Sequence, residues 1–309
     1  MRKIFKDNDK TNEINRDGFI VIKNFLNSVE LENLINKYYA IQEDKEINTT
    51  FSSYEGDNLF KRKFINEAIK FAIKRSVNEN LINYKPLTGV FISKPKNNIN
   101  TKIKLHFDSN CIEEENHESV VLWIPLHEVN EQNGALQVFK GSHQFMSKIR
   151  PFGAPFCYEK YYDFFEQHFM TPICMKAGDA LLFFNRTLHY SDNNYSETDR
   201  VSFRIDLIPN ELNAIQYFHE KGMPKNKVKV FKIDDNYYER FTRDEIPSND
   251  FFDKIIENNF KELSKNNLNK IIGNIDVKWE NVLFKFKEPV KIFYYFKKII
   301  KKIFQSSDK

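Results

Sequence analysis

Between Lys85 and Pro209 the chain breaks into short runs rich in β-branched and aromatic residues, each closed by Gly, Pro, Asn or Asp. The runs are "TGVFISK", "IKLHFD", "SVVLWIPLHEV", "GALQVFKGSH", "PICMKAGDALLFFN" and "RVSFRIDLIP". None has the length or the period of a helix, and repeated short strands separated by turn signals predict an antiparallel sandwich or barrel. This segment constrains the fold more than any other.

Helical spacing flanks it. "RDGFIVIKNFL" (16–26) reads as a turn at Asp17-Gly18 and then a short strand. "SVELENLINKYYAIQE" (28–43) places Leu31, Leu34, Ile35 and Tyr38 on one face, with Ser28 as the expected N-cap. Residues 44–62 are polar and irregular. "KFINEAIKFAIKRSVNENLI" (63–82) predicts a second helix, with Ile65, Ala68, Ile69, Ala72 and Ile73 together. An aromatic, strand-poor insertion between His143 and Thr171, "RPFGAPFCYEKYYDFFEQHF", is a candidate lid over the barrel. Beyond Pro209, helical patterning is read in "NDFFDKIIENNFKELSKNN" (249–267) and in "EPVKIFYYFKKIIKKIFQ" (288–305). The expected division is therefore 1–210, a β-rich domain with N-terminal helices, and 211–309, a helical extension.

Lys and Arg number 47 against 43 Asp and Glu, a net charge of +4 too balanced for a nucleic-acid binder. Three cysteines, Cys111, Cys157 and Cys174, form no CxxC pair and suit a reducing compartment. The basic N-terminus lacks an apolar core, and no run is long and apolar enough to span a bilayer. A soluble cytoplasmic protein is the expectation. The excess of Lys, Asn and Ile fits the coding bias of an AT-rich bacterium.

The chemistry centres on "KLHFDSN" (104–110). On a strand, His106 and Asp108 share one face, with Phe107 on the other. Two readings stand: half of a metal site, or a solvated edge. Two imidazoles and one carboxylate on one side of a cation form a ligand set for Fe(II) that leaves the opposite face open. The third ligand then has to come from a distant strand brought across the barrel. His189, in "FFNRTLHYSDNN", is the candidate, and its alternative is a structural histidine beyond an apolar strand. Arg200, heading "RVSFRIDL", is either a surface charge or a guanidinium able to grip a carboxylate with two hydrogen bonds. By residue type alone Trp123 reads as a core aromatic.

Taken in order, these residues resemble the phytanoyl-CoA dioxygenase family of Fe(II)/2-oxoglutarate oxygenases. "RDGFIVIKNFLNSVELENL" is similar to the family's N-terminal signature. "VLWIPLHEVNEQNGALQVFKGSH" (121–143) is similar to its central segment, through Trp123, Pro125, Asn133-Gly134, Leu136 and Gly141-Ser142-His143. "MKAGDALLFFNRTLHYSDNNYSETDR" (175–200) is similar to its final segment, through His189, Ser191, Asn194 and Arg200. The resemblance runs over residues 13–210.

It implies a double-stranded β-helix, the jelly-roll or cupin-like barrel, mainly β with flanking helices. It implies Fe(II) held by His106, Asp108 and His189. The cosubstrates would be 2-oxoglutarate and O2, with the distal carboxylate of 2-oxoglutarate on Arg200, a hydroxyl contact from Ser191, and Trp123 lining its pocket. The Gly141-Ser142-His143 turn would shape a loop near the site rather than ligate. Relatives that halogenate lack the carboxylate ligand, so Asp108 points to hydroxylation. The substrate would be a small molecule: an acyl or lipid group, a surface-polysaccharide sugar, or a natural-product intermediate. The alternatives are a non-catalytic binding barrel, and a zinc enzyme using the same triad without O2.

In the last segment Ile292, Phe296, Ile299, Ile300 and Ile303 recur at helical spacing beside Lys291, Lys297, Lys298, Lys301 and Lys302. This is either a terminal helix packed on the domain or a basic amphipathic helix making peripheral contact with an anionic membrane through residues 289–305.

Overall fold

The computed structural model of the chain describes residues 2–41, 50–53, 58–154, 158–242 and 245–258. In order these form α1 (Asn8–Asp17), β1 (Phe19–Ile22), α2 (Ser28–Ala40), β2 (Phe51–Ser52), α3 (Leu59–Asn80), β3 (Tyr84–Lys94) and β4 (Ile103–His106). Next come β5 (Val120–Pro125), β6 (Leu136–Phe139), α4 (Tyr162–His168), β7 (Met170–Pro172), β8 (Ala180–Phe184), β9 (His189–Ser191) and β10 (Arg200–Pro209). The described part closes with β11 (Ala214–Phe218), β12 (Lys227–Ile233), α5 (Tyr237–Arg240) and β13 (Phe252–Glu257).

Six strands make one antiparallel sheet in the order β1-β8-β5-β10-β3-β2, and four make a second in the order β4-β9-β6-β7. Strand parity explains how they pack. On β5 and β8, Val121, Trp123, Leu181 and Phe183 cluster with Leu136 and Val138 of the smaller sheet. The alternate residues Val120, Leu122, Ile124, Ala180, Leu182 and Phe184 cluster with Ile14, Leu34, Tyr38, Ile65, Ile69 and Ile73 of the helices. Both faces of the larger sheet are thus buried, which is why "ALLFF" is continuously apolar. Each such Leu or Phe contributes about 1.5–3 kcal/mol on burial. Two facing sheets with helices outside the larger one are the expected double-stranded β-helix.

The helices differ in detail from expectation. α2 is capped by Asn27 in a capping box with Glu30, so Ser28 lies inside the helix rather than at its cap. α3 begins at Leu59, capped by Asn58, inside the stretch read as irregular. α1 carries little apolar signal. It is fixed by Asp7, which accepts from Asp9 N and Lys10 N, and by Gly18, whose φ of 85° closes it. A β-carbon on Gly18 would run into the imidazole of His143.

Two expectations about the C-terminal part are corrected. Residues 211–258 do not open a helical extension. They form the antiparallel sheet β11-β12-β13 with the one-turn helix α5. Of the expected helix over 249–267, residues Phe252–Glu257 are a strand, because β12 offers an edge that a strand can pair with and pairing overrides a marginal helical period; residues 259–267 lie outside the described residues. The chain also does not divide at residue 210: its first compact unit runs from Met1 to Ser264. β11 ties directly to the barrel loops, since Ile215 N donates to Cys111 O (2.9 Å) and Phe152 N to Tyr217 O (2.9 Å). The basic segment 289–305 lies outside the described residues. No helix among the described residues is long and apolar enough to cross a membrane.

Candidate active site

Two antiparallel neighbours, β4 and β9, place His106 directly opposite His189. The third ligand candidate therefore comes from the adjacent strand, not from across the barrel as the spacing alone suggested. The two imidazoles lie 4.2 Å apart, centroid to centroid. β4 ends at His106, so Asp108 is carried by the following loop instead of by the strand. Its N–H donates to Asn185 O at 2.8 Å, which turns its carboxylate back towards the histidines. The approach survives the end of the strand because that loop is pinned to the residues just after β8.

Each imidazole is oriented by its own backbone. His106 Nδ1 lies 2.7 Å from Lys104 O and His189 Nδ1 lies 2.9 Å from Thr187 O. A ring nitrogen facing a carbonyl carries the proton, so both rings present the Nε2 lone pair. Burial, together with His106, pushes the His189 ionisation down to about 3, so the ring stays neutral. The 3.9 Å approach of Asp108 Oδ2 to His189 Nε2 is therefore no ion pair. It is a spacing that two ligands of one cation could adopt. One atom each from His106, Asp108 and His189 lies within 4.8 Å of the others, and this is the one such group among the described residues.

The inner face of β10 carries the polar row Arg200, Ser202, Arg204 and Asp206, while Val201, Phe203, Ile205 and Leu207 pack on the helix side. Arg200 is 2% exposed, donates from Nη1 to Ser202 Oγ at 2.8 Å, and stands 5.6 Å from the centroid of the Trp123 ring. Burial pushes its ionisation down to about 9. Arg200 Nε and Ser191 Oγ are both buried without a hydrogen-bond partner. A guanidinium kept from water in this way costs several kcal/mol until an anion joins it. Lys94, paired with Arg200 across β3 and β10, is also fully buried and donates to Ser191 O at 3.1 Å. Burial and the neighbouring Arg200 charge push it down to about 6. The donors present fit a metal ion on His106, Asp108 and His189, and a carboxylate beside Arg200.

Gly141-Ser142-His143 supports this arrangement without ligating. Ser142 Oγ accepts from Leu188 N (2.8 Å), Gly141 N donates to Asp17 O (2.8 Å), and His143 Nε2 lies 3.0 Å from Asn15 O. Below the Asp108 loop a buried ionic cluster joins Glu114, Glu118, Arg150 and Arg186. Arg150 donates to both Glu114 oxygens at 2.8 and 2.6 Å, and its Nε donates to Asp108 O at 2.8 Å. Reading the sequence passed over Lys94, Arg150, Asn185, Arg204 and Asp206. For Arg204 and Asp206 the signal was present, as polar residues at one parity of "RVSFRIDL".

Together, a facing-sheet barrel with an inward set of two histidines and one carboxylate defines the double-stranded β-helix class of metal site. The family model described as phytanoyl-CoA dioxygenase (PhyH) matches residues 14–202, and the chain belongs to that family of 2-oxoglutarate-dependent non-haem iron enzymes. No curated protein sequence matches it. Among solved structures it is similar to SnoK, a non-heme alpha-ketoglutarate-dependent carbocyclase of nogalamycin biosynthesis. That match has a TM-score of 0.51 and 14% identity, over 68% of this chain and 86% of that one, and it speaks for the fold. EctD from S. alaskensis, solved with 2-oxoglutarate and 5-hydroxyectoine, matches with a TM-score of 0.49 and 16% identity over 71% of this chain and 82% of that one. HygX from Streptomyces hygroscopicus, solved with nickel, 2-oxoglutarate and hygromycin B, matches with a TM-score of 0.47 and 15% identity over 67% and 88%.

Proposed function

We propose that this chain is an Fe(II)- and 2-oxoglutarate-dependent dioxygenase that hydroxylates a small molecule. The observation that carries the reading is the convergence of His106, Asp108 and His189 beside a buried, incompletely bonded Arg200. His106 Nε2, His189 Nε2 and Asp108 would hold the iron. Arg200, with Ser191 beside it, would bind the distal carboxylate of 2-oxoglutarate, and Trp123 would wall that pocket. Iron held there would supply oxidation of a substrate C–H bond by O2, coupled to conversion of 2-oxoglutarate to succinate and CO2.

The chain's own part is to orient and to exclude water. Two backbone carbonyls keep the imidazole protons on the far nitrogens. Buried Phe183, 4.7 Å from the His189 ring, and Trp123 keep that side of the barrel apolar. Candidate substrates are an acyl or lipid group, a surface-polysaccharide sugar or a natural-product intermediate. The carboxylate of Asp108 favours hydroxylation over halogenation. Segment 150–170, which includes α4, and the loop 44–62, much of which lies outside the described residues, are where substrate contacts are expected.

Anaerobic titration with Fe(II) and 2-oxoglutarate tests the reading. The wild type should develop a metal-to-ligand charge-transfer band, and His106→Ala and Asp108→Ala should lose it. No band in the wild type overturns the oxygenase. A zinc enzyme on the same triad would turn over substrate without consuming O2 or releasing succinate.

A further inference from the structure

Arg204 is as close to the candidate metal site as the ligands are to one another, and it sits there on a carboxylate. Its Nη1 donates to Asp108 Oδ1 at 2.9 Å and its Nη2 to Asp206 Oδ1 at 2.8 Å. Asn185 Nδ2 donates to that same Asp206 oxygen at 2.9 Å, and Asn185 O accepts the Asp108 N–H at 2.8 Å. The bonds close a circuit that leaves Asp108 through its main chain and returns through its side chain. Arg150 Nε adds a further hold on Asp108 O at 2.8 Å. The side chains are sheltered: Arg204 is 15% exposed, Asp108 7% and Asp206 3%. Charge-assisted bonds in such surroundings are short, strong and directional.

The consequence falls on the two carboxylate oxygens. Oδ1 is the one gripped by Arg204, and Oδ2 is the one directed at His189 Nε2. We propose that Arg204 is a positioning residue that withholds Oδ1 and offers Oδ2 alone, so that Asp108 ligates through one oxygen. The inference rests on the iron-site reading and deepens it. A cation held by two imidazoles and one carboxylate oxygen keeps a whole face open for a chelating cosubstrate and O2. A carboxylate that swings round to chelate takes part of that face. Neither the Arg200 pocket nor the histidine tautomers prevent that swing; the Arg204 circuit does. Asp206 serves it by holding the far side of the guanidinium, and Asn185 by holding Asp206, so that Arg204 cannot follow Asp108.

The test uses Co(II) alone, without 2-oxoglutarate, on the full-length chain, because ligand-field absorption reports the number and geometry of ligands without turnover. Wild type, Arg204→Met and Arg204→Lys are compared at saturating Co(II). The expected result is a shifted band in Arg204→Met and a return towards the wild-type band in Arg204→Lys, whose ammonium keeps a donor for Oδ1. With Fe(II) and 2-oxoglutarate, Arg204→Met should need more 2-oxoglutarate to develop its charge-transfer band, and its Fe(II) affinity should fall by about 10–100-fold, the usual effect of losing a partner behind a metal ligand. Superimposable Co(II) spectra for wild type and Arg204→Met overturn the proposal, even if 2-oxoglutarate affinity falls, since that pattern marks a cosubstrate contact instead. Should Arg204→Met fail to fold, Asp206→Asn carries the test: a smaller Co(II) shift of the same sign supports the proposal, and an unchanged spectrum overturns it. A wild type that binds no Co(II) at His106, Asp108 and His189 sinks the iron-site reading itself, a result distinct from matching spectra.

Discussion

Arg200 holds its guanidinium 5.6 Å from the centroid of the Trp123 ring, both side chains buried on the inner face of the larger sheet. The ring screens the cation from water without satisfying its Nε–H, which leaves the charge available for an anion. Arg200→Met keeps much of the volume and removes the charge. Its 2-oxoglutarate dissociation constant, read by anaerobic calorimetry with Fe(II) present, should rise about 10–100-fold, matching charge-assisted bonds worth about 1.5–3 kcal/mol. Metal affinity without 2-oxoglutarate should stay unchanged. Equal loss of both would show that Arg200 is structural.

His143 makes acid stability a test of the packing between α1 and the barrel. Burial pushes its ionisation from 6.5 down to about 4, against the opposing effect of the Asn15 carbonyl. Across that window the unfolded chain binds a proton that the folded chain does not. Stability is therefore fully present above about pH 6.5, is lost as the pH falls towards 4, and changes no further from this group below that. The slope is up to about 1.4 kcal/mol per pH unit. His189 contributes with the same sign down to about 3 when no metal is bound. Urea midpoints measured between pH 7 and pH 4 on metal-free protein should show the fall. His143→Gln, which cannot take the proton, should remove one group's share of the slope.

Glu114 lies between two arginines with almost no access to water: its side chain is 1% exposed, against 0% for Arg150 and 7% for Arg186. Glu114→Gln leaves buried cations short of a partner and should cost about 3–5 kcal/mol of stability, read from denaturant midpoints. A cost under about 1 kcal/mol would mean that water takes the place of the lost charge.

Gly18 sits at a φ of 85°, against the His143 ring. Gly18→Ala should cost about 1–2 kcal/mol for the left-handed backbone alone, with an added penalty from displacing the imidazole. A melting temperature equal to that of the wild type would show that α1 can end in another way.

What could be read from the sequence was what depends on local pattern. The barrel strands read as short β-branched and aromatic runs between turn signals, although in β5 and β8 both faces are apolar and only the packing separates Val121, Trp123, Leu181 and Phe183 from their neighbours. His106, Asp108 and His189 were legible because a ligand set needs fixed residue types in a fixed order. The C-terminal sheet was misread although "KVKVFKI" in β12 alternates plainly, because the neighbouring "FFDKIIENNF" keeps a helical period that only the edge of β12 overrules. Arg204 was passed over because a charge on a strand reads as surface. Its role depends on Asp108 arriving from the other sheet, and no local pattern reports that. The polar α1 had no apolar stripe to announce it, and only Asp7 and Gly18 marked its ends.

Gly141 and His143 bond to the carbonyls of Asp17 and Asn15, while the Ser142 hydroxyl between them receives the N–H of Leu188, next to His189. The first helix of the chain is thereby one hydrogen-bonded step from a metal-ligand candidate. For anyone preparing this protein, α1 is part of what positions His189, so a start trimmed into residues 7–18 would disturb that placement. An affinity tag is then better kept out of α1.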